Sequence, residues 1–249
     1  MTGGPIYDRI GRRYKTTRRS DPRILQAVER ALGDARSVVN VGAGTGSYEP
    51  VDRFVIAVEP SAAMVTQRSE HAAPALRAAA EFLPFRDGAF DASLAILTMH
   101  HWSDRRRGLR EMRRVGRRVV LLTWDADVGG RFWLLDYFPE LLAFDRPRFP
   151  SMSALAAEVG GRCEIIPVPI PRDCKDGFLG AFWARPEVYL DAAARAGMST
   201  FAFLDPADVE RGVESLRSDL QDRSWHERHG KLVKHSALDL GYRLLVSEP

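Results

Sequence analysis

A short apolar run, Ser37-Val38-Val39-Asn40-Val41, leads straight into Gly42-Ala43-Gly44-Thr45-Gly46. A glycine-rich turn directly after a buried strand lets a ligand lie against backbone that any Cβ would block. A dinucleotide fingerprint would place a further glycine at position 47, which is Ser47, and would run on into a full helix facing a pyrophosphate. Instead Pro50 and Val51-Asp52-Arg53 intervene and the next apolar run begins at Phe54. The pattern therefore argues against a diphosphate and for an uncharged or cationic ligand. Glu59 closes that second run, where an acid can accept two hydrogen bonds from the vicinal hydroxyls of an adenosine ribose. Further on, His100 and His101 offer imidazoles, whose ordinary pKa of about 6.5 suits a general base.

These groups need elements to hold them. Asp21-Pro22 supplies an N-cap and a first-turn proline for a helix carrying Ile24, Leu25, Val28, Ala31 and Leu32, ended by Gly33. Buried parallel strands are expected at 37–41 and 54–58, a weaker one at 75–80, and strong ones at 90–97 and 118–124. Helices are expected at 61–70 and over the arginine-rich stretch 103–115. This alternation argues a parallel sheet with helices on both faces. It breaks near Val128-Gly129-Gly130. Beyond it one strand, 163–170, two helices, 186–196 and 206–223, and a last strand, 242–246, are expected.

The 249 residues carry 45% hydrophobic and 28% charged side chains, which suits a globular chain and excludes disorder as its description. No apolar run approaches the roughly 18 residues that span a bilayer, and the start lacks a secretory apolar stretch. Cys163 and Cys174 read as free thiols, so a cytoplasmic location is expected. Four lysines leave arginine to supply the other 32 of 36 basic residues, clustered at 9–23 and 105–118. The acids nearly balance them, leaving a net charge of +3, so solvated helix faces explain the clusters better than a nucleic-acid footprint.

Five blocks occur in order: Val38 to Gly46; Val58-Glu59-Pro60-Ser61 with Met64; Ala80-Glu81-Phe82-Leu83-Pro84-Phe85; Phe90-Asp91-Ala92; and Leu97-Thr98-Met99-His100-His101-Trp102. Together they resemble the signature blocks of class I S-adenosylmethionine-dependent methyltransferases of the UbiE-like, small-molecule type (the type 11 family), over residues 5 to about 125. The resemblance implies an α/β fold: a Rossmann-like, mostly parallel seven-stranded sheet with helices on both faces, an antiparallel last strand, and an inserted helical and aromatic cap. It implies one methyltransferase domain over 1–249, with lid helices at 1–34, a cofactor-binding core at 35–127, a substrate cap and sheet edge at 128–235, and the final strand within 236–249.

It also implies S-adenosylmethionine as cofactor and S-adenosylhomocysteine as product. Asn40, Gly42, Ala43 and Gly44 would pass beneath the methionine part and ribose, Glu59 with Pro60 would hold the ribose, and Met64, Ala80 and Glu81 would meet the adenine. Leu97 and Thr98 would line the far side of the sulfonium with His100 and His101, the candidate catalytic residues. Tyr7 and Tyr14 match a lid, Tyr14 over the cofactor and Tyr7 toward the substrate. The chain departs from the family at Asn40, usually aspartate, at Ala79, where an aspartate often receives the adenine amino group, and in the shortened segment after Gly46. An activated methyl group needs chiefly an acceptor aligned in line behind it and water excluded.

Of 23 aromatic residues, 12 lie between Phe132 and Phe203. Trp133, Tyr137, Phe178 and Trp183, with Arg185 as a polar orienter, are the candidates for walling an apolar or aromatic small-molecule acceptor. His226, His229 and His235 lack the metalloprotease spacing and read as a solvated helix, so no metal is expected. Nucleic acid and membrane are not expected as partners, and oligomeric state is silent. The competing readings are an RNA methyltransferase using the arginine clusters, and a non-catalytic or repurposed S-adenosylmethionine-binding protein.

Overall fold

The computed structural model describes residues 18–249; Tyr7 and Tyr14 lie outside the described residues. Helix α1 (Pro22–Leu32) starts at Asp21, whose carboxylate accepts the Arg23 amide, and buries Ile24, Val28, Ala31 and Leu32. Gly33, at φ +58°, reverses the chain into β1 (Ser37–Val41). Then come β2 (Phe54–Val58), α2 (Ala62–Val65), β3 (Ala75–Leu76), β4 (Phe90–Ile96), α3 (Arg105–Val115) and β5 (Gly116–Trp124). The chain continues through α4 (Ala126–Gly129), α5 (Pro139–Asp145), α6 (Met152–Val159), β6 (Arg162–Pro167), β7 (Ile170–Pro171), α7 (Ala192–Ala196), α8 (Pro206–Gln221) and α9 (Ser224–His229). The strands β8 (Ala237–Leu238) and β9 (Tyr242–Glu248) close the chain.

The main sheet has seven strands in the order β3-β2-β1-β4-β5-β9-β6. Strand β1 pairs in parallel with β2, Ser37 opposite Phe54, and with β4, Val38 opposite Ala92. Strand β9 runs antiparallel to β5 and to β6. The expected mostly parallel sheet with an antiparallel last strand is thus what forms. Alternate residues feed two cores, as period-two side chains must. Val38, Val55, Leu94, Val120 and Leu122 face α1 and the cap aromatics. Val39, Val41, Val58, Val119 and Leu121 face α3 and α6. Each fully buried Val or Leu contributes roughly 1.5–3 kcal/mol, so both faces resist loss of register.

Several expectations change in detail. The helix expected at 61–70 stops at Val65, and the strand expected at 75–80 covers Ala75–Leu76 alone. The strand expected at 163–170 divides into β6, in the main sheet, and β7, which pairs with β8 in a separate ribbon. The helix expected at 186–196 splits because Asp191 ends a 3-10 turn, Pro186–Leu190, and caps α7 with its carboxylate.

Several arginines of the second cluster meet partners within the chain, while Arg106, Arg107, Arg110 and Arg117 stay exposed to solvent. Arg105 and Arg106 pair with Glu158. Arg107 stacks 3.7 Å over the Phe82 ring, Arg114 meets Glu111, and Arg118 meets Glu248. No helix among the described residues is long and apolar enough to cross a membrane.

Candidate active site

In an open parallel sheet, ligands collect beyond the carboxyl ends of the strands where strand order reverses. Here that point lies between β1 and β4. Gly42, Glu59 and Leu97 each follow directly on the ends of β1, β2 and β4, and all three line one cavity of about 470 Å³. That volume falls within the usual range for small-molecule sites.

The turn after β1 needs its glycines. Gly42 sits at φ +70° and Gly44 at φ +54°. A Cβ on Gly42 would come within 2.2 Å of Thr98 Oγ1. The Gly42 and Ala43 amides both donate to the Val58 carbonyl, at 2.8 and 3.1 Å, which locks the turn against β2. Glu59 is buried, and its two oxygens accept the amides of Gly44 (2.8 Å) and Ser61 (2.9 Å). A carboxylate at the end of this strand is the acceptor type that vicinal ribose hydroxyls need.

Asn40 is 1% exposed. Its amide nitrogen donates to Glu49 Oε1 at 3.1 Å, and that carboxylate is clamped by Arg68 Nη2 at 2.7 and 2.8 Å. The side chain's orientation follows, since only its NH₂ can donate to a carboxylate. Asn40 Oδ1 is thereby buried without a hydrogen-bond partner, on the cavity wall. An orphaned acceptor there fits the ammonium of a methionine-like group.

On the opposite wall, Leu97 adopts φ +48°, rare for a branched side chain. Its amide still bonds to the Leu122 carbonyl at 2.8 Å, so the sheet holds the strained turn. The chain then coils into a 3-10 turn, Met99–His101, that brings Thr98, His100 and His101 to the cavity. The rings of His100 and His101 lie 3.8 Å apart, and His100 also rests 4.5 Å from Phe149. Arg148 donates to the His100 carbonyl and approaches His101 Nδ1 at 3.1 Å. A guanidinium can only donate, so His101 Nδ1 accepts and the ring proton sits on Nε2. Burial, with Arg148 beside it, lowers His101 to about 3. Burial pushes His100 well below its ordinary value, helped by His101, Arg148 and Arg18. Both imidazoles are therefore neutral at physiological pH.

Pro60, Met64, Ala80 and Glu81 also line the cavity, so every cofactor candidate among the described residues gathers in one place. The Glu81 carboxylate is already used, accepting from the Ser103 hydroxyl (2.8 Å) and the Asp104 amide (2.9 Å). Residues that sequence reasoning missed complete the wall: Arg18, Phe144, Arg148 and Phe203. They come from segments without a motif, so only the fold brings them together.

The acceptor candidates need correction. Trp133 packs edge-on to Trp225 and Tyr189, and its Nε1 donates to the Trp183 carbonyl. Trp183 Nε1 donates to the Ile170 carbonyl, and the Tyr137 hydroxyl binds Asp219. Arg185 bonds to the Cys174 and Ala181 carbonyls. Trp133, Tyr137 and Trp183 are buried in the core of this region, because the largest aromatics bring the most apolar area to burial, while the half-buried Arg185 is tied to backbone carbonyls. Of the five, Phe178 lines a smaller cavity of about 70 Å³ that shares Arg18, Leu97 and His100 with the first. Among the described residues no cluster of three or more His, Cys, Asp or Glu is placed to hold a metal.

Comparison with known proteins agrees with this geometry. A methyltransferase-domain model of the type 11 family matches residues 39–123. A structure from Anabaena variabilis, assigned as a methyltransferase of an antibiotic biosynthesis pathway, is 36% identical with a TM-score of 0.87, covering 93% of this chain and 99% of that one. An S-adenosylmethionine-dependent methyltransferase from Thermotoga maritima is 26% identical with a TM-score of 0.50, covering 59% and 72%. The tRNA (carboxymethyluridine(34)-5-O)-methyltransferase ALKBH8 of Mus musculus is 29% identical over 128 residues, 48% of this chain. The match spans only 19% of that curated relative's length. With the glycine cradle, the acid after β2 and the strand order all in place, the chain belongs to the class I S-adenosylmethionine-dependent methyltransferases of the type 11 family.

Proposed function

We propose that this methyltransferase acts on a small, apolar or aromatic metabolite held between the sheet and the cap. The observation carrying this reading is the pair of adjoining cavities, one of about 470 Å³ at the glycine turn and one of about 70 Å³ behind it. Arg18, Leu97 and His100 belong to both. The pairing of Arg105, Arg114 and Arg118 with acids of this chain, and the pathway in the Anabaena relative's description, support a small acceptor over RNA. The domain divisions given above and a cytoplasmic location belong to the same reading.

When bound, S-adenosylmethionine supplies an activated methyl group. Gly42, Ala43 and Gly44 would underlie it, Asn40 Oδ1 would accept from its ammonium and Glu59 from its ribose. Pro60, Met64, Ala80 and Glu81 would enclose the adenine, with Thr98 opposite. Leu97 and His100 then present the acceptor and keep water out, and proximity supplies most of the rate. His100 is neutral and so competent to receive a proton, yet weakly basic, which suits alignment better than deprotonation of a strongly bound proton.

The test is incubation with S-adenosylmethionine and a panel of small aromatic and aliphatic acceptors, reading S-adenosylhomocysteine by mass spectrometry. Turnover with a panel member is the expected result. Calorimetric cofactor binding without any turnover would move the assignment to a repurposed binding protein. Salt-dependent retention on RNA at physiological ionic strength would move it to an RNA acceptor.

Two expectations follow for single residues. His100→Ala should lower kcat by about tenfold or more while leaving S-adenosylhomocysteine affinity nearly intact. The wild-type rate should show no inflection from histidine titration between pH 6.5 and 8, because both rings are already neutral there. The folded pKa of His101 lies below the unfolded value of 6.5, so its contribution to stability is present above 6.5 and is lost as pH falls toward 3. A rate that rises tenfold across pH 6.5–8 and loses that rise in His100→Ala would contradict this account.

Asn40→Asp, which restores the family's usual residue, should destabilise this chain. It would set a second carboxylate against Glu49, where Asn40 now donates at 3.1 Å. Like charges this close cannot both stay ionised cheaply. A loss of about 1–3 kcal/mol is expected, relieved below pH 5 and by adding Glu49→Gln. Thermal denaturation of the wild type and the two variants at pH 7 and pH 5 checks it.

A further inference from the structure

The smaller cavity contains chemistry that nothing above assigns. Asp145, the last residue of α5, is 6% exposed and lines it. Its Oδ2 accepts the Thr200 hydroxyl at 2.9 Å, while Oδ1 is buried with no hydrogen bond. The nearest cation, Arg148 Nη1, stands 3.6 Å from Oδ1, too far to donate well, and is itself without a hydrogen-bond partner. On the same cavity wall, His100 Nδ1 is a second buried polar atom with no partner. Two orphaned polar atoms in one chamber are costly unless a ligand satisfies them.

The rest of the chamber sets the ligand's character. Trp124, Phe149, Phe178 and Tyr242 give it aromatic walls. Its charges cancel: Arg148 faces Asp145, and Arg18 is held by Asp176 through Nε at 2.7 Å and Nη2 at 3.1 Å. A cationic ligand would meet the Arg18 guanidinium on the chamber wall, with Arg148 already beside Asp145, and an anionic one would meet Asp145. A neutral donor meets neither objection. Burial raises the Asp145 carboxyl to about 6, with Thr200 and Arg148 opposing that rise, so at neutral pH it is an anion and a strong acceptor.

We propose that this chamber is a specificity subsite that takes the neutral, hydroxyl-bearing aromatic end of the methyl acceptor, with Asp145 Oδ1 accepting the hydroxyl's hydrogen bond. The subsite rests on the small-acceptor reading given under Proposed function and narrows it. It joins the larger cavity at Leu97 and His100, so an acceptor anchored at Asp145 would present its other end at that junction. Asp145 is then a binding residue at the end of the substrate remote from the transferred methyl.

Phenol and toluene, which differ by a hydroxyl in place of a methyl, test this on protein saturated with S-adenosylhomocysteine. Calorimetry should show phenol binding about tenfold tighter than toluene, as one charge-assisted hydrogen bond implies after dehydration. Asp145→Leu should abolish the preference, and the isosteric Asp145→Asn should reduce it to within about threefold. Nuclear Overhauser contacts from the phenol ring to the Met198 methyl group, also on the chamber wall, should locate the ligand. Equal binding of the two probes, a preference that survives in both variants, or phenol contacts elsewhere would overturn the subsite. If neither variant folds, the wild-type preference and the Met198 contacts decide. Saturation with S-adenosylhomocysteine is confirmed first, and turnover on the acceptor panel is scored separately. A failed subsite is thereby distinguishable from a failed assignment of cofactor or acceptor class.

Discussion

Gly42→Ala should lower affinity for S-adenosylhomocysteine by at least about a hundredfold. Two costs combine. At φ +70° an L side chain incurs roughly 1–2 kcal/mol. The new Cβ would also stand 2.2 Å from Thr98 Oγ1 and 2.8 Å from its Cγ2, and overpacking of this kind costs about 1–3 kcal/mol. Thr98 can yield only by moving the turn that carries His100 and His101, so the damage passes from β1 to the opposite wall of the cavity. Gly88 supplies the control. It sits at φ +60° with nothing within 4 Å of a built Cβ, so Gly88→Ala bears the backbone cost alone and should lower Tm without touching affinity. Thr98→Ala added to Gly42→Ala should recover about tenfold by removing the clash but not the strain. Calorimetry on the four proteins separates these terms. Affinity in Gly42→Ala within threefold of wild type would remove the glycine turn as the cofactor cradle.

The legible part of the site is the part written in consecutive residues. Gly42 to Gly46, Glu59 and Leu97 each sit immediately after an apolar strand, and a parallel sheet delivers strand ends to one edge whatever the rest of the chain does. The strands were legible for the same reason, being short apolar runs with polar or glycine ends. Where side chains reach far along the chain, local pattern misleads. The helix expected over 61–70 stops early, and Arg68 instead reaches back to Glu49 and to the Gly44 carbonyl. Its guanidinium serves the glycine turn rather than a helix face.

The cap misled in another way. Aromatic enrichment marks a compact region, but Trp133 and Trp183 are buried in its core, each with its indole N–H on a backbone carbonyl. Asp145, Thr200 and Phe178 meet from three separate segments, and no spacing in the chain announces that meeting. Asp145 closes α5, a short helix that also carries Glu140 in its first turn, and an acid there is indistinguishable by sequence from an ordinary helix end.

Arg18 joins the cap to the cavity, and the second large effect is expected at its partner. Asp176 is buried completely and accepts from Arg18 Nε, Arg18 Nη2, the Arg19 and Gly177 amides and the Tyr48 hydroxyl. Tyr48 itself is held at φ +62° by this contact and by its amide's bond to Ser20 Oγ. Asp176→Ala would strip the acceptor from all of these and leave a guanidinium whose side chain is 8% exposed without its carboxylate. Breaking such a buried pair from one side costs about 3–5 kcal/mol. In a chain of this size that is a fall in Tm of roughly 10 °C. Tyr48→Phe, which removes only the hydroxyl that donates to Asp176 and accepts the Asp21 amide, should cost about 1–2 kcal/mol, so the two variants distinguish loss of the ion pair from loss of the hydroxyl. Because Arg18 lines both cavities, Asp176→Ala should also weaken cofactor binding and the phenol preference together, whereas Tyr48→Phe should leave both nearly unchanged. A Tm within 2 °C of wild type in Asp176→Ala would mean that Arg18 finds another anchor, and the wall shared by the two cavities would then have to be positioned by the Leu97 turn alone.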